Sequence, residues 1–321
     1  MEKLTKPDYT AFGALSSLIG SFDVHKTYAA LVATAMQEIS SMEPKARHLW
    51  ECGTYLELDG EGRLVKSNLC RERWCPLCQW RRSLRVFGQV QQMLAWLAPQ
   101  KFKFLHLVLT VPNCAADDLK TRCDWLYRRS TAMFSDRLYG KRDQLAPLAH
   151  CKRSFRGIVR ALEVTYNSDT DLYHPHLHCL IAVKSSYFNN PADYYSQQKL
   201  SVLWTGYAAP AFGMKDGDLF ILHVKRVKDS ERDNAVAEVA KYAVKPFHCD
   251  LDIDGYKRVL PVLDRALAGR RMLQLYGAFA DAARALKIDL NDDSEETDGG
   301  GDTRKFSFIH GKYREVAKNE K

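Results

Sequence analysis

The chain has 321 residues, 46% of them hydrophobic, so it can bury the core of one large domain or of two to three smaller ones. Its net charge of +8 favours a polyanionic partner. The sequence shows no bilayer-length apolar run and no signal-peptide pattern at the start, so we expect a soluble, cytoplasmic protein that is not secreted. Nine cysteines, four of them clustered, fit a reducing compartment better than a disulfide framework.

Residues 1–45 are predicted to form an N-terminal helical arm, with a helix over residues 27–40. Two roles stay open for this arm: it packs on the main domain, or it forms part of a DNA-binding surface.

A cysteine-rich segment follows. Cys75 and Cys78 form a C-x-x-C pair whose thiolates can reach one tetrahedral zinc ion from a tight turn. Cys70 lies just upstream, and Cys52 precedes a hairpin-like stretch over 54–66, so four sulfur atoms could close a structural site. Whether Cys52 takes part is left open. Unrelated buried cysteines or a redox C-x-x-C are the alternatives, but no βαβ pattern surrounds this pair.

The same region is rich in arginine, which can face DNA phosphates or form an ordinary solvated basic surface. The candidates for DNA binding are Arg71, Arg73, Arg81 and Arg82.

The central part of the chain alternates helices and strands. Helices are predicted over 83–97 and 117–138, and strands over 102–111, 157–167 and 175–183. The turn-forming run at 167–171 joins the last two strands into an antiparallel hairpin.

Three histidines alternate along the second strand of this hairpin. His174, His176 and His178 therefore share one face of the sheet, and two imidazoles on a rigid face can bind a divalent metal. With the turn centred between residues 169 and 170, Glu163 lies opposite His176; the next matching register puts it opposite His178. In either register Glu163 shares the histidine face as a candidate third ligand. Solvent-facing histidines and a surface glutamate are the alternative interpretation.

The last third of the chain begins with a strand predicted over 219–224 and a helix over 229–245, which Pro246 ends. On this helix Glu238 and Tyr242 lie one turn apart on one face, flanked by Lys241 and Lys245. A further helix is predicted over 265–286. Residues 291–302 are acidic and glycine-rich, which indicates a flexible linker. The tail from residue 303 is predicted to be a short docking segment or disordered.

Four of these segments together resemble the plasmid rolling-circle replication initiators of the HUH endonuclease superfamily. They are residues 104–113 (FLHLVLTVPN), residues 173–181 (YHPHLHCLI) preceded by ALEVTYN, residues 238–245 (EVAKYAVK), and the cysteine knuckle CRERWCPLC at 70–78. The resemblance covers roughly residues 50–250, and the order of the motifs agrees with the family.

The resemblance implies a mechanism. His176 and His178 would bind a catalytic Mg²⁺ or Mn²⁺, and Glu163 would complete the site. Tyr242 would be the nucleophile that forms a 5′-phosphotyrosine link and frees a 3′-hydroxyl primer. Glu238 would activate water for the final hydrolysis. The cysteine site would hold structural Zn²⁺.

The expected fold is α+β: a central antiparallel sheet of about five strands with helices packed on it, plus a small zinc-binding subdomain with four cysteine ligands. The expected domains are the arm (1–45), the zinc knuckle with its helix (46–98), the nickase domain (99–290), the linker (291–302) and the tail (303–321). The expected partners are single-stranded or hairpin plasmid origin DNA and the helicase and replication machinery of a bacterial host, with a homodimer left open and no membrane.

Two other functions remain as alternatives. An HUH transposase shares the zinc knuckle, the metal pair and the tyrosine chemistry. A non-catalytic zinc-knuckle regulator would bind DNA without cutting it.

Overall fold

A computed structural model describes residues 15–136, 149–208, 220, 222–236, 251–290 and 302–316. These residues belong to two compact units. The first takes residues up to Arg85, 248–261 and 291 onward, and the second takes 86–247 and 262–290. The domain boundaries drawn from the sequence stay a prediction.

The first unit contains helices α1 (Leu15–Gln37) and α2 (Glu43–Glu51) and a four-stranded antiparallel sheet. The sheet has the order β2-β1-β8-β9, with β1 at Tyr55–Leu58, β2 at Leu64–Ser67, β8 at Arg304–Ile309 and β9 at Lys312–Val316. The tail from residue 303 therefore forms a hairpin whose first strand pairs with β1. Residues 291–301 of the predicted linker lie outside the described residues.

The C-terminal hairpin packs closely against Gly53, which follows the end of α2. The Tyr313 hydroxyl donates a hydrogen bond to the Gly53 carbonyl. Gly53 has a φ of +65°, and a Cβ atom there would lie 2.2 Å from Leu77 Cδ2, so only glycine fits. The Tyr313 ring also packs edge-on against Phe22 of α1.

The second unit is built on a five-stranded antiparallel sheet with the order β6-β3-β5-β4-β7, which confirms the predicted α+β fold. The strands are β3 (Phe102–Thr110), β4 (Phe155–Asn167), β5 (Leu172–Lys184), β6 (Leu222–Val227) and β7 (Leu273–Gly277). The long central hairpin of β4 and β5 has Glu163 opposite His176, the first of the two registers predicted from the turn.

The helices with described bounds are α3 (Pro76–Leu97), α4 (Leu119–Phe134), α5 (Cys151–Ser154), α6 (Gln197–Ala208), α7 (Ile253–Leu267) and α8 (Ala278–Ala285). Residues 232–236 are also helical. Helix α3 begins two turns earlier than predicted because Pro76 occupies its first turn, where a missing N–H costs nothing.

The single helix predicted over 265–286 is wrong. Helix α7 ends at Leu267, followed by Gly269 in a left-handed conformation with φ +68°. Residues 273–277 then form β7, whose backbone pairs with β4 from Gly157 to Ala161, before α8 begins. Backbone pairing with β4 outweighs the helical preference of the flanking alanine-rich segments.

Candidate functional site: two metal-ligand clusters

The four cysteines predicted as zinc ligands lie together in the first unit. Cys52 follows α2, Cys70 follows β2, and Cys75 and Cys78 lie at the start of α3. Their sulfur atoms are 3.4 Å apart for Cys52 and Cys78, 3.5 Å for Cys52 and Cys75, and 3.7 Å for Cys70 and Cys78. Bonds of about 2.3 Å to a tetrahedral zinc ion place sulfur atoms about 3.8 Å apart. The cluster could therefore hold a tetrahedral metal ion with Cys52 among its ligands.

The surroundings of these sulfur atoms suit thiolates. The backbone N–H of Cys70 donates to Cys52 Sγ at 3.3 Å, and that of Arg71 donates to Cys78 Sγ at 3.2 Å. Burial raises the pKa of Cys75 well above its usual range, so a thiolate there requires a nearby positive charge. A bound metal ion would supply that charge. The Lys26 side chain, which donates to the carbonyls of Leu49 and Trp50, interacts with the cysteines as well, although burial lowers its own pKa.

The second cluster lies on one face of the five-stranded sheet. Glu163 comes from β4, and His176 and His178 come from β5. Glu163 Oε2 is 2.6 Å from His176 Nε2 and 3.2 Å from His178 Nε2. The three side chains could hold one metal ion, and they leave coordination positions open for a substrate.

The electrostatics of this cluster favour an ionised glutamate. Burial by itself raises the pKa of Glu163, but hydrogen bonds from His176 and His178 outweigh it and lower the pKa to about 2. Glu163 therefore stays charged over the whole pH range in which imidazoles ordinarily titrate. A carboxylate and two imidazoles suit a divalent cation such as Mg²⁺, Mn²⁺ or Zn²⁺.

Two more histidines lie next to this cluster. The carbonyl of His174 is 3.1 Å from His176 Nδ1. His106 of β3 lies on the same face of the sheet, and its Nε2 is 3.4 Å from His178 Nδ1. The sequence does not identify His106 as a site residue. The feature that could have drawn attention to it is its position as a histidine in an otherwise largely apolar strand.

The helix predicted over 229–245 is described only as far as Val236. Ala235 and Val236 are buried in the same hydrophobic cluster as Ala161 and Leu180. Ala161 is paired with His178, so this cluster lies on the metal-ligand face of the sheet. The guanidinium of Arg232 also lies over the Phe104 ring on that face, at 5.7 Å. The start of this helix therefore packs on the face that carries Glu163, His176 and His178.

Several predicted site residues lie outside the described residues. They are Glu238, Lys241, Tyr242 and Lys245. Their roles stay predictions.

The four candidate DNA-binding arginines are described, and they differ in their surroundings. Arg71 is exposed, with a φ of +59°, and lines a small surface pocket together with Arg82. Arg73 is half-buried. The guanidinium of Arg81 lies over the rings of Phe22 and Trp80, at 5.6 and 5.8 Å from their centroids, so it makes cation–π contacts within the first unit.

Comparison of the amino-acid sequence with known proteins shows that the chain is similar to replication proteins. A family model described as "Replication protein" matches residues 61–315. A "Protein rep" of Streptococcus pneumoniae serotype 2 is 30% identical over 266 residues, which cover 80% of this chain and 77% of that protein. A "Protein rep" of Lentilactobacillus hilgardii is 31% identical over 260 residues, 76% of each chain.

A "Protein rep" of Staphylococcus aureus is 30% identical over 201 residues, 61% of this chain and 80% of its own. No solved structure gives a significant match.

Among the described helices, none combines the length and the apolar composition that crossing a membrane requires.

Proposed function

The chain belongs to the replication protein family and is a plasmid replication initiator, and from this premise we propose that it starts rolling-circle replication by nicking origin DNA with Tyr242. The observation that carries the proposal is the cluster of Glu163, His176 and His178, on a sheet face that also holds the start of the helix preceding Tyr242. In the predicted helix, Tyr242 follows Val236 by less than two turns.

The nucleophile requires activation, because a phenol has an unperturbed pKa of about 10 and is weakly nucleophilic near neutral pH. Mg²⁺ or Mn²⁺ held by the three ligands would neutralise charge on the scissile phosphate and polarise its phosphorus. The Tyr242 oxygen gives its proton to solvent, attacks that phosphorus and forms a 5′-phosphotyrosine bond. The bond to the 3′-oxygen breaks, and this oxygen takes up a proton from solvent and becomes the primer hydroxyl.

A second cleavage ends the cycle when the replicated strand returns to the origin. With a single tyrosine in its motif, the chain needs another nucleophile for that step. Glu238, one turn before Tyr242 in the predicted helix, would accept a proton from water and so assist strand transfer and termination.

The cysteine cluster has a structural role in this proposal. Four sulfur ligands leave no open position on a tetrahedral zinc ion, so Zn²⁺ there would hold the first unit together without taking part in nicking. Arg71, Arg73, Arg81 and Arg82, with Lys241 and Lys245, would contact phosphates of single-stranded or hairpin origin DNA. Host helicase and replication machinery would act on the nicked product.

The reaction can be tested with labelled single-stranded origin DNA on a denaturing gel. With Mn²⁺ the protein is expected to give a shortened DNA product and a covalent protein–DNA band, and a chelator of Mn²⁺ is expected to remove both. Binding without scission, with every divalent metal tried, would overturn the proposal in favour of a regulator. The similar proteins from Streptococcus, Lentilactobacillus and Staphylococcus are all named rep proteins, which favours an initiator over a transposase.

The assignment of Glu163 predicts a change in metal affinity. Glu163→Gln keeps the size of the side chain but removes its charge, so Mn²⁺ affinity measured by calorimetry is expected to fall at least about tenfold, the lower end of the loss seen when only an outer partner of a metal ligand is removed. Glu231→Gln is the matched control, because Glu231 pairs with the exposed side chain of Lys225 on the edge strand β6. Equal Mn²⁺ affinity in wild type and Glu163→Gln would remove Glu163 from the site.

A further inference from the structure

The two ring nitrogens of His178 face different partners. Its Nε2 is directed at Glu163, 3.2 Å from Oε2, and its Nδ1 is directed at His106 Nε2, 3.4 Å away. The two nitrogens of an imidazole point away from each other, so a metal ion beside Glu163 can use only Nε2 of His178. His106 consequently lies outside the set of ligands, on the far side of the His178 ring.

The two candidate histidine ligands are supported in different ways. His176 Nδ1 faces a backbone carbonyl, that of His174, at 3.1 Å. The Nδ1 of His178 faces a side chain contributed by another strand, 72 positions away in sequence. The rings of His106 and His178 lie at 15° to each other with their centroids 5.5 Å apart, whereas the two nitrogens are only 3.4 Å apart, so each nitrogen lies on the side of its ring that is nearer the other ring.

The protonation of His178 follows from its proposed role. A histidine nitrogen that binds a metal must be unprotonated, so a metal ion would replace the hydrogen bond from Nε2 to Glu163 and neutral His178 would then carry its proton on Nδ1. That N–H requires an acceptor, because His178 is only 6% exposed. The lone pair on Nε2 of a neutral His106 is the acceptor that the structure provides.

We propose that His106 is a positioning residue of the metal site, which accepts a hydrogen bond from His178 Nδ1 and thereby holds His178 Nε2 unprotonated and aimed at the position shared with Glu163 and His176. This inference rests on the proposed function, since it assumes that the three side chains bind Mg²⁺ or Mn²⁺. Outer hydrogen-bond partners of metal-binding histidines typically contribute about 10- to 100-fold to metal affinity.

Three substitutions of His106 separate positioning from packing. His106→Leu removes the acceptor, so the Mn²⁺ affinity of the full chain, measured by calorimetry, is expected to fall about 10- to 100-fold. His106→Gln places an amide oxygen near the former position of Nε2 and is expected to restore most of the affinity. His106→Asn is too short to reach His178 and is expected to bind Mn²⁺ as weakly as His106→Leu.

His176→Ala and the thermal melting of each variant serve as controls. Weaker Mn²⁺ binding in His176→Ala together with unchanged binding in His106→Leu would overturn only the inference about His106. Unchanged Mn²⁺ binding in both variants would overturn the metal site itself. Equal losses of affinity in His106→Leu and His106→Gln, parallel to equal losses of melting temperature, would also overturn the inference, because they would indicate a packing role.

Discussion

Tyr242→Phe is expected to abolish both nicking and the covalent protein–DNA band. Phenylalanine keeps the ring and its packing but lacks the oxygen that attacks phosphorus, and no neighbouring hydroxyl on the predicted helix face can replace it. We expect a loss of at least about three orders of magnitude, comparable to the loss on removing a nucleophile in other enzymes that form covalent intermediates. The measurement is single-turnover cleavage of labelled origin DNA in Mn²⁺, followed on a denaturing gel.

Tyr194→Phe is the matched control for this experiment. Tyr194 is 40% exposed and lies outside all four segments of the resemblance, so the same loss of a hydroxyl should leave cleavage close to that of wild type. DNA binding by Tyr242→Phe should also persist. A covalent band of normal intensity from Tyr242→Phe would show that another residue is the nucleophile.

The second large effect is expected at the cysteine cluster. Cys75→Ser replaces one of the four proposed ligands at a position with no solvent exposure, so the variant is expected to lose the zinc ion held by the cysteine cluster and the cooperative melting of the first unit. Structural zinc binding contributes about 10–16 kcal/mol of apparent free energy in zinc-finger peptides, which exceeds the net stability of many domains. Metal analysis of the purified protein and melting followed by circular dichroism measure the two losses.

Cys179→Ser is the matched control for Cys75→Ser. Cys179 is also fully buried, but it lies on the face of β5 opposite the histidines and belongs to neither metal-ligand cluster. It should lower the melting temperature modestly and leave the zinc content unchanged. Full zinc content and unchanged melting in Cys75→Ser would mean that the cluster is only a group of buried thiols.

The local sequence pattern was sufficient to predict the central hairpin of β4 and β5. Alternation with a period of two put His174, His176 and His178 on one face, and the turn-forming run at 167–171 set the register that brings Glu163 opposite His176. Both signals act between residues close in sequence, so tertiary packing does not have to be known to interpret them. The C-x-x-C pair is local in the same sense.

Contacts between distant segments could not be deduced in that way. Cys52 and Cys78 are 26 positions apart in sequence, and His106 and His178 are 72 apart. The paired strands β1 and β8 are roughly 250 positions apart. Strand β7 could not be predicted for a similar reason. The segment LQLYG is too short to show a strong strand pattern in sequence, and its strand conformation comes from hydrogen bonds with β4.

The sequence by itself thus determined the family, the α+β class, the histidine face and most members of the two candidate metal-ligand clusters. Periodicity, turn chemistry and short ligand spacings are encoded by neighbouring residues. Only the tertiary structure decided that Cys52 lies with the other three cysteines, that the C-terminal hairpin completes the first sheet, and that His106 lies against His178. Those contacts depend on how whole elements pack, and packing is set by the combined burial of many side chains that no single stretch of sequence specifies.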